Sequence, residues 1–237
     1  MFDRDLAEVY DLVYRERGQD FHGEAELVTR LVRDRSPRAG SLLDVGCGTG
    51  EHLRALRASF PHVEGLDRSE PMIAVARAKL PGVDIHTGDM CDFDLGRTFD
   101  AVISLSAAVA YLPSARDMRA AVARMAAHLA PGGVLLVEPW YFPETYLEGH
   151  IAGDVLRGNG RTVSRVSRAE RHGEAVRVDS HYVVADRRGI RHFTETQVFG
   201  LWPREQYGRA LLDAGCSAEY IEGVQSRRGL FVGRRQR

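Results

Sequence analysis

The sequence predicts an α/β fold, a mostly parallel sheet covered by helices on both faces, with an antiparallel sheet inserted before the last helix. Two observations predict it. From Ser41 to Glu138 apolar runs alternate with amphipathic stretches, the pattern of successive β-α-β units. Beyond Pro143 the texture changes to period-two alternation, as in "RTVSRVSRAERHGEAVRVDSHYVVADRRGIRHFTETQVFGLW". A length of 237 residues with 44% hydrophobic content suits one well-packed core. With no internal repeat and no low-complexity linker, the chain reads as a single domain over 1–237 whose insertion spans about 144–202.

Each element follows from local pattern. "SLLDVG" is the first strand, and Glu51 to Ser59 carries Leu53 and Leu56 at helical spacing. "HVEGLD" is the second strand, "PMIAVARAKL" a helix with proline in its first turn, and "VDIHTGD" the third strand. "FDAVISLS" is the fourth, Ala115 to Leu129 an alanine-rich helix stopped by "APGG", and "VLLVEP" the fifth. The insertion reads as three antiparallel strands turning at "HGEA" and "DRRGI". Arg204 to Ala214 is the last helix, and "CSAEYIEG" and "GLFVGR" are two strands closing the edge of the main sheet.

In such sheets ligands bind outside the carboxyl ends of the strands, and polar residues stand there in order. Gly46-Cys47-Gly48-Thr49-Gly50 has the spacing GxGxG, and Asp44 sits just before it. A carboxylate there repels a phosphate but accepts a hydrogen bond from a ligand ammonium or a neighbouring amide, while the glycines let backbone lie against the ligand. Asp67 ends the second strand, where an acid can take both hydroxyls of a ribose. In "TGDM", Asp89 and the amide of Met90 can read the edge of an adenine, and Met72 offers a polarisable cover for its ring. Together these describe adenosine linked to a methionyl group.

From Leu42 to Glu138 the set resembles the class I S-adenosylmethionine-dependent methyltransferases, which implies a Rossmann-like, mostly parallel seven-stranded sheet. The match continues beyond that core. "EVYDLVYRERGQDF", "GDMCDFDLGRTFDAVIS", "LVEPWYFPET", "RTVSRVS", "RHFTE" and "SRRGLFVG" resemble the N,N-dimethyltransferases of TDP-linked aminosugars, end to end and including the insertion. The resemblance implies S-adenosylmethionine as cofactor, S-adenosylhomocysteine as product, no metal, and a TDP-aminosugar of antibiotic biosynthesis methylated twice on its amine. It places Asp67, Met72, Asp89 and Met90 around the adenosine, and Arg68 and Leu105 also at the cofactor. Asp44 and Gly46, Cys47 and Gly48 then lie under the methionyl part, and Tyr10, with Tyr14 and Arg17, forms an N-terminal lid. Tyr111 would orient the amine as the catalytic side chain. Phe2, Tyr14, Trp140 and Phe142 would line the sugar or thymine pocket, and Arg165, Ser167, His181 and Arg228 would meet the diphosphate. A homodimer paired through the inserted sheet is the expected assembly.

The chain departs from that pattern near the acceptor. Phe2 replaces a tyrosine, Leu105-Ser106-Ala107-Ala108 replaces Met-Phe-Ser-Ser, and Arg227 replaces a glycine. The amine position (C3 or C4) and the number of methyl groups therefore stay open, as does an O- or C-methyltransferase of another small metabolite. A non-catalytic cofactor-binding protein would be expected to have an eroded turn, and the turn is intact. A formal net charge of −1 gives no basic field for nucleic acid or membrane, and no stretch approaches ~20 apolar residues, so a cytoplasmic enzyme is expected. Cys47, Cys91 and Cys216 lack CxxC spacing and read as free thiols. The nine histidines lack metal spacing, and His22, His52, His62 and His128 read as surface residues.

Overall fold

In the computed structural model, which describes residues 3–224 and 228–236, two sheets share the chain. The order of elements begins α1 (Arg4–Glu16), α2 (Phe21–Arg35), β1 (Ser41–Val45), α3 (Glu51–Leu56), β2 (His62–Asp67), α4 (Glu70–Lys79), β3 (Asp84–Thr87) and β4 (Phe99–Ser104). A single 3₁₀ turn, Ala108–Tyr111, leads to α5 (Ala115–Ala127) and β5 (Leu129–Val137). The insertion is β6 (Ile151–Gly158), β7 (Arg161–His172), β8 (Ala175–Asp186) and β9 (Gly189–Gly200). It is followed by α6 (Arg204–Asp213), β10 (Glu219–Ile221) and β11 (Leu230–Arg234).

The main sheet has seven strands in the order β10-β11-β5-β4-β1-β2-β3, with β11 antiparallel to its neighbours. Order reverses between β1 and β4, the switch point at which a ligand crevice opens. Leu43, Val45 and Val102 face one apolar layer with α5 and α6, whereas Leu42, Ala101 and Ile103 face the other with α2 and α3. Burial on both faces is why these strands read as continuous apolar runs.

The second sheet is four antiparallel strands, β6-β7-β8-β9, not the three expected. The additional strand, "IAGDVLRG", interrupts its apolar residues with Gly153 and Asp154 and hydrogen-bonds on one side only, to β7, so its alternation is weak. The inner face of this sheet packs on α1. Leu6, Val9, Leu12 and Val13 meet Leu156, Val163, Tyr182, Val184 and Phe193, and a Cβ on Gly158 would stand 2.6 Å from Leu12.

α1 is also clamped to the main sheet. Asp3 caps it by accepting from the Leu6 amide at 2.9 Å. Asp11 accepts from the Thr49 hydroxyl at 2.5 Å and from Lys79 at 2.6 Å, and Lys79 reaches Glu51 at 2.6 Å. On its other side Glu8 meets Arg188 and Arg191.

Two of the four histidines expected at the surface are buried. His52 pairs with Glu24, and His128 stacks on Phe93 and accepts from the Leu95 amide. The helix expected to reach Ser59 ends at Leu56, and β5 starts early, at Leu129, with a register irregularity between Phe99 and Ala101.

Candidate active site

The glycine turn reverses the chain from β1 into α3 with Gly46, Gly48 and Gly50 at φ 80°, 54° and 78°. The amides of Gly46 and Cys47 both donate to the Leu66 carbonyl, which ties the turn to β2. A Cβ on Gly46 would stand 2.7 Å from that of Ala108, but one on Gly48 would meet nothing within 4 Å. Gly48 thus presents bare backbone to a cavity of about 300 Å³ at the strand ends. Asp67, 9% exposed, accepts from the Gly48 and Ser69 amides at 2.8 Å each. Burial raises its pKa against the pull of those amides. A carboxylate can accept about four hydrogen bonds, so capacity remains for ribose hydroxyls.

Met72, Met90, Leu105 and Leu112 supply an apolar slot beside Asp67, with Asp89 at its edge accepting from the Cys91 amide at 2.9 Å. Tyr10 from α1 covers the slot, and Glu195 to Val198 of β9 form its far wall. Asp44 does not line the cavity, yet it is 1% exposed and its Oδ2 has no hydrogen-bond partner. Burial, its largest perturbation, pushes it up to about 7. An orphaned carboxylate beside a bare glycine backbone, an acid with spare accepting capacity on the cavity wall and a methionine-lined slot fit a cationic nucleoside amino acid.

A second cavity, about 940 Å³, opens between the main sheet, α2 and the inserted sheet, and shares Ser106, Tyr111 and Gln197 with the first. Ser106 and Ala107 adopt left-handed φ of 50° and 57°, rare for residues with a Cβ, and the Ser106 amide is held by Glu138 at 2.6 Å. One wall is aromatic: Trp140 stacks on Phe199 at 4.4 Å with Tyr146 beside it. Further along the inner face of the inserted sheet the lining is polar. Arg165 donates to the Tyr182 hydroxyl at 3.1 Å and Ser180 at 3.0 Å, while its Nη1 has no hydrogen-bond partner and lies 3.7 Å from Asp154. Tyr10 and Tyr14 stack at 4.3 Å, and Tyr14 hydrogen-bonds Tyr111, so phenol groups run from one cavity to the other. Burial raises the Tyr111 pKa well above 10, which keeps it a neutral phenol that orients rather than a phenolate.

A family model for a methyltransferase domain matches residues 42–133. Over 98% of this chain and 99% of the relative, the sequence is 49% identical to the dTDP-3-amino-3,4,6-trideoxy-alpha-D-glucopyranose N,N-dimethyltransferase of Streptomyces venezuelae. The chain belongs to the TDP-aminosugar N,N-dimethyltransferases. It is an S-adenosylmethionine-dependent methyltransferase. A dTDP-4-amino-2,3,4,6-tetradeoxy-D-glucose N,N-dimethyltransferase of Saccharopolyspora spinosa is 44% identical over 98% of this chain and 94% of its own. The S-adenosylmethionine-bound amino pentose methyltransferase CalS10 of Micromonospora echinaspora superposes with a TM-score of 0.89 at 49% identity, covering 100% of this chain and 98% of that one.

In this TDP-aminosugar N,N-dimethyltransferase the structure brings most of the expected residues together. Tyr10, Gly46, Gly48, Asp67, Arg68, Met72, Asp89, Met90 and Leu105 line the smaller cavity. Tyr14, Arg17, Trp140, Arg165, Ser167 and Arg228 line the larger, and Tyr111 lines both. Others are elsewhere. Cys47 is buried against Gly65. Phe142 lies in the apolar core among Tyr207, Tyr220 and Phe231, because its ring turns away from the cavity that Trp140 enters. His181 is exposed on the outer face of β8 against His192, since period two puts it opposite the inward Tyr182. Arg228, although it reaches the larger cavity, is ion-paired with the fully buried Glu138 at 3.1 Å. Phe2 and Arg227 lie outside the described residues. Gln19, Glu24 and the β9 wall were not read from sequence: Gln19 lies in the short link between α1 and α2, α2 looks like an ordinary amphipathic helix, and period two alone does not say which cavity a strand faces.

Proposed function

We propose that this chain transfers methyl groups to the amine of a TDP-linked amino-deoxysugar, twice, releasing the monomethyl product between turns. The observation that carries the reading is the junction of the two cavities: a nucleoside-sized slot and a larger arginine- and aromatic-lined chamber meet at Ser106, Tyr111 and Gln197. When bound, S-adenosylmethionine supplies an electrophilic methyl carbon on a sulfonium. Asp67 would take the ribose, Met72 and Met90 the adenine, and the bare backbone of Gly48 the methionyl end, with the buried Asp44 carboxylate behind the turn. Arg165, through an Nη1 that makes no hydrogen bond and lies 3.7 Å from Asp154, and Ser167 would take the diphosphate, with the thymine against Trp140. Tyr111 would then hold the amine in line with the methyl carbon, so that proximity and orientation supply most of the acceleration.

We assign the acceptor as the C3 amine, the cell compartment as the cytoplasm, the two sheets as one functional domain, and the assembly as a homodimer. Val155, Val166 and Val183 are exposed on the outer face of the inserted sheet and support pairing of two copies there. Calorimetric titration of the protein loaded with S-adenosylhomocysteine tests the acceptor. TDP should bind, TDP-3-aminosugar more tightly, and the C4 isomer less so. Tight binding of the nucleoside with none of any TDP compound would discard the aminosugar.

A further inference from the structure

The acceptor chamber contains a base that the cofactor motifs do not use. Glu24 of α2 lines the chamber, and its Oε2 stands 2.7 Å from Nε2 of His52 on α3. Both side chains are more than nine-tenths buried or close to it, His52 at 6% and Glu24 at 9% exposed, and the ring of Phe21 closes edge-on over the imidazole at 5.1 Å. Gln19 ties this pair to the junction of the cavities, donating to Glu24 at 3.1 Å and to the Ser106 hydroxyl at 3.0 Å.

The amine of a sugar enters mostly as an ammonium near neutral pH and carries no lone pair until it loses a proton. Tyr111 is unfit to accept it, because burial raises that phenol's pKa further. Asp20, the other carboxylate of the chamber wall, is exposed and occupied as the cap of α2. We propose that Glu24, backed by His52, receives the ammonium proton of the acceptor sugar. The substrate N–H bond breaks with its electron pair left on nitrogen. The proton passes to the Glu24 carboxylate, which the His52 imidazole holds in place across the 2.7 Å contact. The nitrogen lone pair then forms the C–N bond as the S–C bond breaks, and the sulfur leaves with that pair as a thioether. The N-methylammonium formed must lose another proton before a second transfer, so the pair returns its first proton to water when the product leaves.

The surroundings favour the charged imidazole. Facing the pair are Asp44 from β1 and Glu138 from the end of β5, with Asp67 of β2 beyond Asp44 and Arg228 beyond Glu138. Although burial, the largest effect on His52, opposes its protonation, Glu24, Asp44 and Glu138 together hold its pKa above the usual histidine value. Glu24 is therefore the proton acceptor, and His52 is a positioning residue that acts through it.

The inference rests on the aminosugar reading, and the test separates the two. Glu24→Gln and His52→Gln are compared with the unaltered enzyme for methylation of TDP-3-amino-3,6-dideoxyglucose between about pH 7 and about pH 9.5, with S-adenosylhomocysteine affinity measured as the check on folding. Glu24→Gln should lower kcat/KM about 100-fold near pH 7 and recover most of it where the amine is already neutral. His52→Gln should do the same more weakly, with nucleoside affinity unchanged in both. A loss equal at every pH, or no loss, in whichever variant still binds the nucleoside overturns the proton acceptor while leaving the aminosugar reading standing. An unaltered enzyme that methylates no TDP-aminosugar overturns that reading and this one with it.

Discussion

Asp67 carries two duties with one carboxylate: it pins the glycine turn through Gly48 and keeps capacity for the ribose. Asp67→Ala removes both, and calorimetry should show cofactor affinity lowered at least about 100-fold, from two or more lost hydrogen bonds to a charged group. Asp44 makes a different prediction, in pH. Burial raises it to about 7, and Glu138, also pushed up by burial, titrates at about 7, whereas in an unfolded chain such acids titrate near ~4. The folded state thus holds these protons more tightly. That stabilisation is complete below about pH 4 and is lost as pH rises through about 7. The melting temperature of the ligand-free protein should fall by several degrees between about pH 5 and pH 8, and Asp44→Asn should flatten the slope. A slope unchanged in that variant would contradict the assignment. Asp67, Met72, Asp89 and Met90 were legible because strand ends announce themselves in order along the chain. Phe142, His52 and His128 were not, since the burial of one side chain depends on which neighbours tertiary packing brings.

Among elements, α1 couples the sites. One face carries Leu6, Val9, Leu12 and Val13 into the inserted sheet, another presents Tyr10 to the smaller cavity, and Asp11 locks the helix to Thr49 of the glycine turn and to Lys79. The Lys79 side chain is 19% exposed and shared between Asp11 and Glu51, so its removal takes away the cation that joins α1 to α3, while Glu51 keeps Arg54 and Asp11 keeps Thr49. Lys79→Met should loosen the helix and weaken cofactor binding about tenfold, roughly one such charge-assisted contact, as read by calorimetry. Unchanged affinity would mean that the clamp is not part of the cofactor lid. The parallel strands were legible as unbroken apolar runs, but β6 was missed because an edge strand needs only one good side and tolerates Gly153 and Asp154.

For the whole molecule, the alternation of strands and helices fixed the sheet, while the closure of the chamber by β9 depends on register that no local pattern states. On the outer face of the inserted sheet Val155 and Val183 stand exposed on either side of Ser164, with Val166 one step along β7, and these valines are where the proposed pairing of two copies is tested. Light scattering should report a dimer, and Val183→Glu should dissociate it; a monomer at every concentration would contradict the pairing. The central claim, two methyl transfers to one sugar amine, is tested most directly by mass spectrometry of TDP-3-amino-3,6-dideoxyglucose incubated with the enzyme and excess S-adenosylmethionine. The account predicts a monomethyl product that appears free in solution and is then replaced by the N,N-dimethyl product. Methylation that stops after one group, falls on oxygen, or does not occur would contradict it.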